Sequence, residues 1–209
     1  MVSDLHAQLQ SGCDQLAIAL SHEQQKQLLD YVALLTKWNK VYNLTSVREP
    51  AQMVSRHIID SLSILPYIQG SSLLDVGTGG GLPGIPVAIA KPDCQVTLLD
   101  SNSKKTRFLQ QVKAELGLDN VTVVHGRVEQ VSLPLFATIT ARAFATIDDI
   151  IQLAGQHCEQ GGQLVLMKGV YPSEELTFNA DQFRLLDVVS LNVPAAEGER
   201  HLVRLVREG

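Results

Sequence analysis

Residues 75–86 read Asp75-Val76-Gly77-Thr78-Gly79-Gly80-Gly81-Leu82-Pro83-Gly84-Ile85-Pro86, with five glycines in eight positions from Gly77 to Gly84. Side chains of this kind break no bonds. What they offer is backbone, because glycine permits turns closed to other residues and lets N–H groups approach a ligand closely. Asp100 ends the next apolar run, where a carboxylate can accept hydrogen bonds from both hydroxyls of a ribose. It also suits the start of a helix opening over Ser101-Asn102-Ser103, and the two roles can coexist. After the third apolar run, Gly126-Arg127-Val128-Glu129 can present backbone and side chain to an adenine edge, or form a plain surface turn.

Two cofactor classes compete for the glycine turn. Gly79-x-Gly81-x-x-Gly84 satisfies the dinucleotide fingerprint, with Asp100 near the expected distance for a ribose-binding carboxylate. Gly77-x-Gly79-x-Gly81, preceded by Asp75, matches the acidic-x-Gly-x-Gly-x-Gly pattern of S-adenosylmethionine (SAM) enzymes. Register separates them. If the strand ends at Val76, Gly77 is the first turn residue and the dinucleotide match starts two residues late. Pro83 and Pro86 also suit the first turn of a helix beginning near Leu82. The register favours SAM; a merely structural glycine corner is the third reading.

Transfer of a methyl group from a sulfonium needs an in-line nucleophile and close approach in a dry site. No Asn-Pro-Pro-Tyr type segment follows the fourth apolar run to hold an exocyclic amine. No cysteine precedes a proline, so covalent attack on a pyrimidine carbon has no evident nucleophile. A ring nitrogen such as guanine N7 already presents its lone pair and needs no general base, so no catalytic side chain is assigned. Arg142 and Lys168 end the fourth and fifth strands, where they can bind phosphate, the SAM carboxylate or guanine O6, or form ordinary strand-end ion pairs.

These residues need a scaffold. From Ser71 onward strands and helices alternate, the pattern of a mostly parallel sheet covered on both faces. Strands are expected at Leu73-Val76, Gln95-Asp100, Val121-His125, Ala137-Ala141 and Gln163-Lys168, with helices near 84–91, 103–117 and 146–158. Phe183-Val193 and His201-Arg207 read as a closing antiparallel pair. Before this lies a helical extension over residues 1–69, and the sheet domain takes 70–209. In the extension, Ser21 and Gln24 form a capping box for a helix running to about Trp38. Tyr42-Asn43-Leu44-Thr45-Ser46 reads as a loop, and Pro50 starts a further helix reaching about Pro66.

The chain has 209 residues, 45% hydrophobic and 19% charged, which describes a globular protein with a core. No window reaches the roughly 18 consecutive apolar residues of a membrane span, and the N-terminus does not resemble a signal peptide. Cys13, Cys94 and Cys158 are widely spaced, which points to buried thiols in a reducing compartment and to neither a disulfide scaffold nor a metal site. The net charge of −5 opposes nucleic-acid binding by the chain as a whole. Residues 36–60, however, hold Lys37, Lys40, Arg48, Arg56 and His57 against Glu49 and Asp60, with Trp38 and Tyr42 among them. Such a stretch can contact phosphates and stack on bases, or be a solvated helix face with two packed aromatics.

Taken together, Trp38-Asn39-Lys40-Val41-Tyr42-Asn43-Leu44-Thr45, Arg56-His57-Ile58-Ile59-Asp60-Ser61-Leu62, the glycine turn with Leu82-Pro83-Gly84, Arg142-Ala143-Phe144, Lys168-Gly169 and Gly198-Glu199-Arg200-His201 closely resemble the ribosomal RNA small subunit methyltransferase G family, also called glucose-inhibited division protein B. The resemblance covers nearly the whole chain. It implies a Rossmann-like class I SAM-dependent methyltransferase, a cytoplasmic bacterial enzyme acting on N7 of one guanine in 16S ribosomal RNA, naked or within the small subunit. A monomer that uses neither metal nor membrane is expected. By the same resemblance Gly77 and Leu82 contact SAM from the turn, Val128 and Glu129 line the adenine, and Arg142 belongs to the cofactor site, while Gly79 joins the cofactor set through the glycine pattern. Asp100 follows from the general SAM-enzyme pattern. His57 and Asp60, three apart, share one helix face, which either points to RNA with Lys168 or joins extension to domain. Glycine at position 80, where many relatives have proline, makes the turn more flexible.

Overall fold

The computed structural model describes residues 2–143, 145–178 and 181–209; Phe144 of the Arg142-Ala143-Phe144 segment lies outside them. The chain opens with α1 (Val2–Gln15) and α2 (His22–Tyr42). Ser21 caps α2 as expected, with Ser21 and Gln24 each satisfying the other's backbone N–H. The same Gln24 amide donates to Ile89 O and Ala90 O, so the start of α2 also closes the end of a helix of the sheet domain. α2 runs four residues past its expected end and stops at Asn43, in the left-handed conformation at φ 48.

The single helix expected from Pro50 is three pieces: α3 (Pro50–Met53), a π-helical segment (Val54–Ile59) and α4 (Asp60–Leu62). In the wider winding the Asp60 N–H reaches Ser55 O and passes over Arg56 O. The Arg56 carbonyl is thereby released to side chains, and it faces both His57 Nδ1 at 3.0 Å and Arg142 Nη1 at 3.4 Å. Such segments recur at functional sites.

Seven strands form one sheet in the order β3-β2-β1-β4-β5-β7-β6: β1 (Ser72–Val76), β2 (Gln95–Asp100), β3 (Val121–His125), β4 (Phe136–Arg142), β5 (Cys158–Lys168), β6 (Phe183–Ser190) and β7 (His201–Arg207). The first five are parallel, and β7 runs antiparallel between β5 and β6. The helices α5 (Gly84–Ala90), α6 (Ser103–Leu116) and α7 (Ile147–Ala154) connect them. Chain direction across the sheet reverses between β1 and β4, and their carboxyl ends therefore frame the crevice where open α/β sheets take ligands.

Further boundaries differ from expectation: β6 stops at Ser190, three residues short of Val193, and others turn on glycine. The helix expected to 158 stops at Ala154, passes through a 3₁₀ turn (Gly155–His157), and gives way to β5 at Cys158. Gly161 and Gly162, which resemble a break, form a bulge inside β5: the β4–β5 register shifts there, Gly161 has φ 75, and a β-carbon on Gly162 would lie 2.9 Å from Glu159 O. The helix after the glycine turn starts at Gly84 with Pro83 as its cap, two residues later than Leu82.

One apolar cluster runs from Leu9 of α1 through Leu28, Leu35 and Ile58 to Leu98, Phe108 and Leu202, so the N-terminal helices and one sheet face share a core. A second cluster packs α7 against the other face through Ile147, Ile150 and Ala154. Trp38 belongs to the first cluster, its ring 5.6 Å from Phe108 and 5.3 Å from Tyr42. All three cysteines are buried free thiols; burial pushes Cys13 and Cys158 up to about 11, which leaves them inert at neutral pH. Among the described residues no helix is long and apolar enough to cross a membrane, and no group of His, Cys, Asp and Glu is placed to hold a metal ion.

Candidate cofactor and substrate cavities

β1 ends at Val76, so Gly77 is the first residue of the turn, and Gly77, Gly79 and Gly81 take φ of 66, 62 and 96. Each bend of the turn is tied down. Asp75, fully buried, accepts on Oδ2 from Thr78 Oγ1 at 2.6 Å and from Gly84 N at 2.8 Å. Thr78 N donates to Leu99 O of β2, and Gly79 N donates to Asp100 Oδ2 at 2.9 Å. From α2, the buried Tyr31 hydroxyl donates to Gly80 O at 2.6 Å, which pins the position where proline would otherwise stiffen the turn. Tyr31 carries no local sequence signal for this role, since its partner lies 49 residues away. The other Asp75 oxygen is buried without a partner, and that desolvation raises the carboxyl to about 7.

The glycines divide by what surrounds them. A β-carbon on Gly81 would meet Ile85 Cγ1 at 2.5 Å, and one on Gly84 would meet Leu98 Cδ2 at 2.2 Å; both are packing glycines. A β-carbon on Gly79 would find nothing closer than Gly77 O at 3.9 Å and the Lys105 amine at 4.0 Å. The turn therefore shows bare backbone to open space there, as a closely approaching ligand requires.

That space consists of two adjoining cavities, both lined by Gly77, Lys105 and Ala143. The smaller, about 400 Å³, is lined by Gly77, Asp100, Val128 and Glu129 among others. The larger, about 580 Å³, is lined by His57, Gly79, Leu82, Arg142 and Lys168, and also by Asp60 and Arg200. All nine residues singled out from the sequence thus lie on one of two touching cavities, with Gly77 on both. Asp100 remains open to a further donor: its oxygens accept from Gly79 N and Asn102 N, with Lys105 Nζ at 3.6 Å, and a carboxylate offers about four acceptor positions.

The larger cavity has its own polar wall, built over long sequence distances. Asp60, 3% exposed, accepts from Arg142 at 3.1 Å on one oxygen and from Arg200 at 3.0 Å on the other. Arg142 is therefore not a free cation at a strand end; the carboxylate of α4 positions it. Lys168 is likewise engaged, donating to Ala145 O at 3.0 Å and to Glu175 Oε2 at 2.7 Å. His57 uses both ring nitrogens. Arg56 O can only accept, so Nδ1 carries the proton, and Nε2 accepts from the Thr45 hydroxyl at 2.8 Å. Burial, reinforced by the nearby Arg142, lowers His57 to about 4 and keeps it neutral. The Asp60 and Arg200 pairing, 140 residues apart, is what sequence spacing could not show.

Removing the shared carboxylate tests this wall. Asp60→Ala leaves two guanidiniums, each about a fifth exposed, facing one another without a counter-charge. Breaking a buried pair costs about 3–5 kcal/mol, and partial exposure puts this case near the lower figure. The expected result is a melting temperature lower by roughly 6–12 °C for a chain of this size, read by thermal unfolding. A shift within 2 °C of the parent would show that the triad contributes nothing to the fold.

The family described as rRNA small subunit methyltransferase G matches residues 24–203. The ribosomal RNA small subunit methyltransferase G of Pseudomonas aeruginosa is 50% identical over 210 residues, covering 99% of this chain and 98% of its own. That of Nitrosospira multiformis is 48% identical over 210 residues, covering 97% of each chain. Among solved structures, a SAM dependent methyltransferase from Aquifex aeolicus superposes with a TM-score of 0.58 at 16% identity, covering 79% of this chain and 97% of that one. At that identity the likeness concerns the fold alone.

Proposed function

The chain belongs to the rRNA small subunit methyltransferase G family, and from that premise we propose that it transfers the methyl group of SAM to N7 of one guanine in 16S ribosomal RNA. The observation that carries this reading is the meeting of two cavities at Gly77, one suited to a nucleoside and the other to an acceptor base.

In this assignment the smaller cavity holds the adenosine part of SAM. Gly77 and Gly79 offer bare backbone, Asp100 accepts from the ribose hydroxyls, and Val128 and Glu129 border the adenine. Leu82 supplies an apolar wall near the junction, and Arg142, steadied by Asp60, receives the SAM carboxylate. SAM supplies a methyl group on a sulfonium, whose transfer leaves a neutral thioether and a cationic guanine ring. An sp² nitrogen gives up no proton, which suits a wall where the Asp60 carboxylate and both His57 nitrogens are already committed. The work left to the protein is orientation and exclusion of water, which can supply a large part of the barrier reduction. His57 and Lys168 shape the acceptor side while keeping their internal partners. Residues 1–69 furnish part of that side and residues 70–209 the rest. The protein acts as a monomer in the cytoplasm, where small subunits assemble.

The test combines the purified protein with methyl-labelled SAM and 16S RNA, naked and within small subunits, from cells lacking the activity. Label is expected as 7-methylguanine at one site. SAM binding without transfer to either RNA would move the acceptor elsewhere, and failure to bind SAM at all would remove the cofactor assignment.

A further inference from the structure

Apolar side chains left in water are informative when they cluster. Among the described residues the large exposed ones are Val41, Tyr42, Leu135, Val170 and Tyr171. Four of these five stand in the chain within three residues of segments that line the larger cavity, without lining it themselves. Val41-Tyr42 ends α2, separated by Asn43 from the Leu44, Thr45, Ser46 and Val47 wall, and Val170-Tyr171 directly follows Met167, Lys168 and Gly169 on another wall. Each tyrosine is braced by a second ring. Tyr42 lies 5.3 Å from Trp38, and Tyr171 meets His201 edge-on at 5.5 Å. His201 itself lines the cavity, is 8% exposed, and has an Nδ1 without a partner.

The charge of the wall is opposite to that of the chain. The lining holds Arg56, Lys105, Arg142, Lys168 and Arg200 against Asp60, with Glu175 and Asp100 meeting Lys168 and Lys105 from outside it, so five cations face three carboxylates on a protein of net charge −5. A concentrated positive lining attracts a polyanion even when the whole molecule is acidic. Braced aromatic rings next in the chain to two of its walls offer faces to π-systems. Cations inside with exposed rings at the rim is the arrangement that binds single-stranded nucleic acid, where phosphates meet the charges and splayed bases stack on the rings. A paired helix keeps its bases stacked and hidden from such rings.

We propose that Tyr42 and Tyr171 are two base-stacking stations that hold unpaired nucleotides flanking the target guanine, so that the protein takes its substrate from an opened single-stranded loop. This rests on reading the larger cavity as the RNA side of a methyltransferase. Neither tyrosine lines the smaller cavity, and both stand outside the larger one. The two stations are therefore separable from cofactor binding.

The experiment measures binding of a fluorescent 16S RNA transcript, across salt concentrations, to the parent protein and to Tyr171→Ala, Tyr42→Ala and Tyr171→Phe. Loss of one stacked base weakens affinity by about tenfold or more. Each alanine variant should show that loss with the slope of log affinity against log salt unchanged, because no phosphate contact is removed. Tyr171→Phe, which keeps the ring, should bind as the parent does, and SAM affinity should be equal in all four. Both residues are exposed, so folding is not at stake. Unchanged RNA affinity in both alanine variants overturns the proposal and leaves the apolar rim to a protein contact. A Phe variant as weak as the Ala variant also overturns it, since the hydroxyl and not the ring would then matter. A parent protein that binds no 16S RNA defeats the functional reading itself and this inference with it.

Discussion

Gly77→Asp will abolish SAM binding while leaving the protein folded. Gly77 sits at the junction of both cavities with φ 66, immediately after β1. In that conformation an L-residue costs roughly 1–2 kcal/mol, and aspartate tolerates it better than most. A chain of this size should therefore lose only about 2–8 °C in melting temperature. The effect on the ligand is larger. A side chain at the junction occupies space the cofactor needs, for which overpacking costs run about 1–3 kcal/mol. It also places an unpaired carboxylate against a ligand that excludes water, at a further cost of a few kcal/mol. Together these exceed the roughly 2.7 kcal/mol that corresponds to a hundredfold change in affinity. Calorimetric titration with SAM, beside a thermal melt of the same sample, is the decisive pair of measurements. Near-parental affinity would place the cofactor away from the turn, and unfolding of the variant would make Gly77 a structural residue.

Gly81→Ala provides the contrast. Its β-carbon would collide with Ile85 and Leu109 at 2.5 and 2.8 Å, so the variant should lose stability before it loses affinity. The sequence does not separate these two kinds of glycine. The motif Gly77-x-Gly79-x-Gly81 treats all three alike, because what sets Gly81 apart is packing, by Ile85 on the following helix and by Leu109 of α6, folded over it from a distant part of the chain. Much else was legible. The β1, β2, β3 and β7 spans follow from short apolar runs bounded by turn residues, and β1 ending at Val76 is what resolves the turn's register. The Ser21 capping box and Pro50 start are local signals that the fold keeps.

What was not legible depends on contacts between distant segments. The π-helical segment is invisible to a 3.6-residue pattern, and the Arg56 carbonyl that its winding leaves free is met by Arg142, 86 residues away. The Asp60 triad and the Tyr31 anchor are likewise joined only in three dimensions. His57 and Asp60 were expected on one helical face from their spacing; they do line one cavity, but the wide winding places them there, and each is held by its own partners. For Lys168 and Arg142 the sequence left ligand binding and strand-end ion pairing both open, and the structure shows the ion pairs, with Glu175 and Asp60 as partners that spacing could not name. Sequence periodicity locates elements, whereas ion pairs between elements depend on how the sheet brings their ends together.

Two buried groups of this site should show opposite pH dependences that mask one another. Asp75 is raised from 3.8 to about 7 by desolvation, only partly offset by the hydrogen bonds from Thr78 and Gly84. The folded state therefore holds a proton that the unfolded chain has released, and this contribution is full below about pH 4 and lost as pH rises through about 7. His57 is lowered from 6.5 to about 4 by burial, with Arg142 adding to it. Its contribution is full above pH 6.5 and lost as pH falls through about 4. A tenfold change in proton affinity corresponds to about 1.36 kcal/mol, so both swings are of the order of 3–4 kcal/mol, and between about pH 4 and 7 they oppose one another. Single variants should expose each. Relative to the parent, Asp75→Asn should lose stability on acidification from about pH 7.5 to 4.5, with only the His57 effect remaining of this pair. His57→Gln should gain stability over the same interval. Urea unfolding at steps of pH gives these difference curves directly, and the contribution of other carboxylates cancels because parent and variant share it. Difference curves that run flat for both variants would mean that neither group changes its proton affinity on folding. A slope for one alone would keep that group's burial as a determinant of the site and remove the other's.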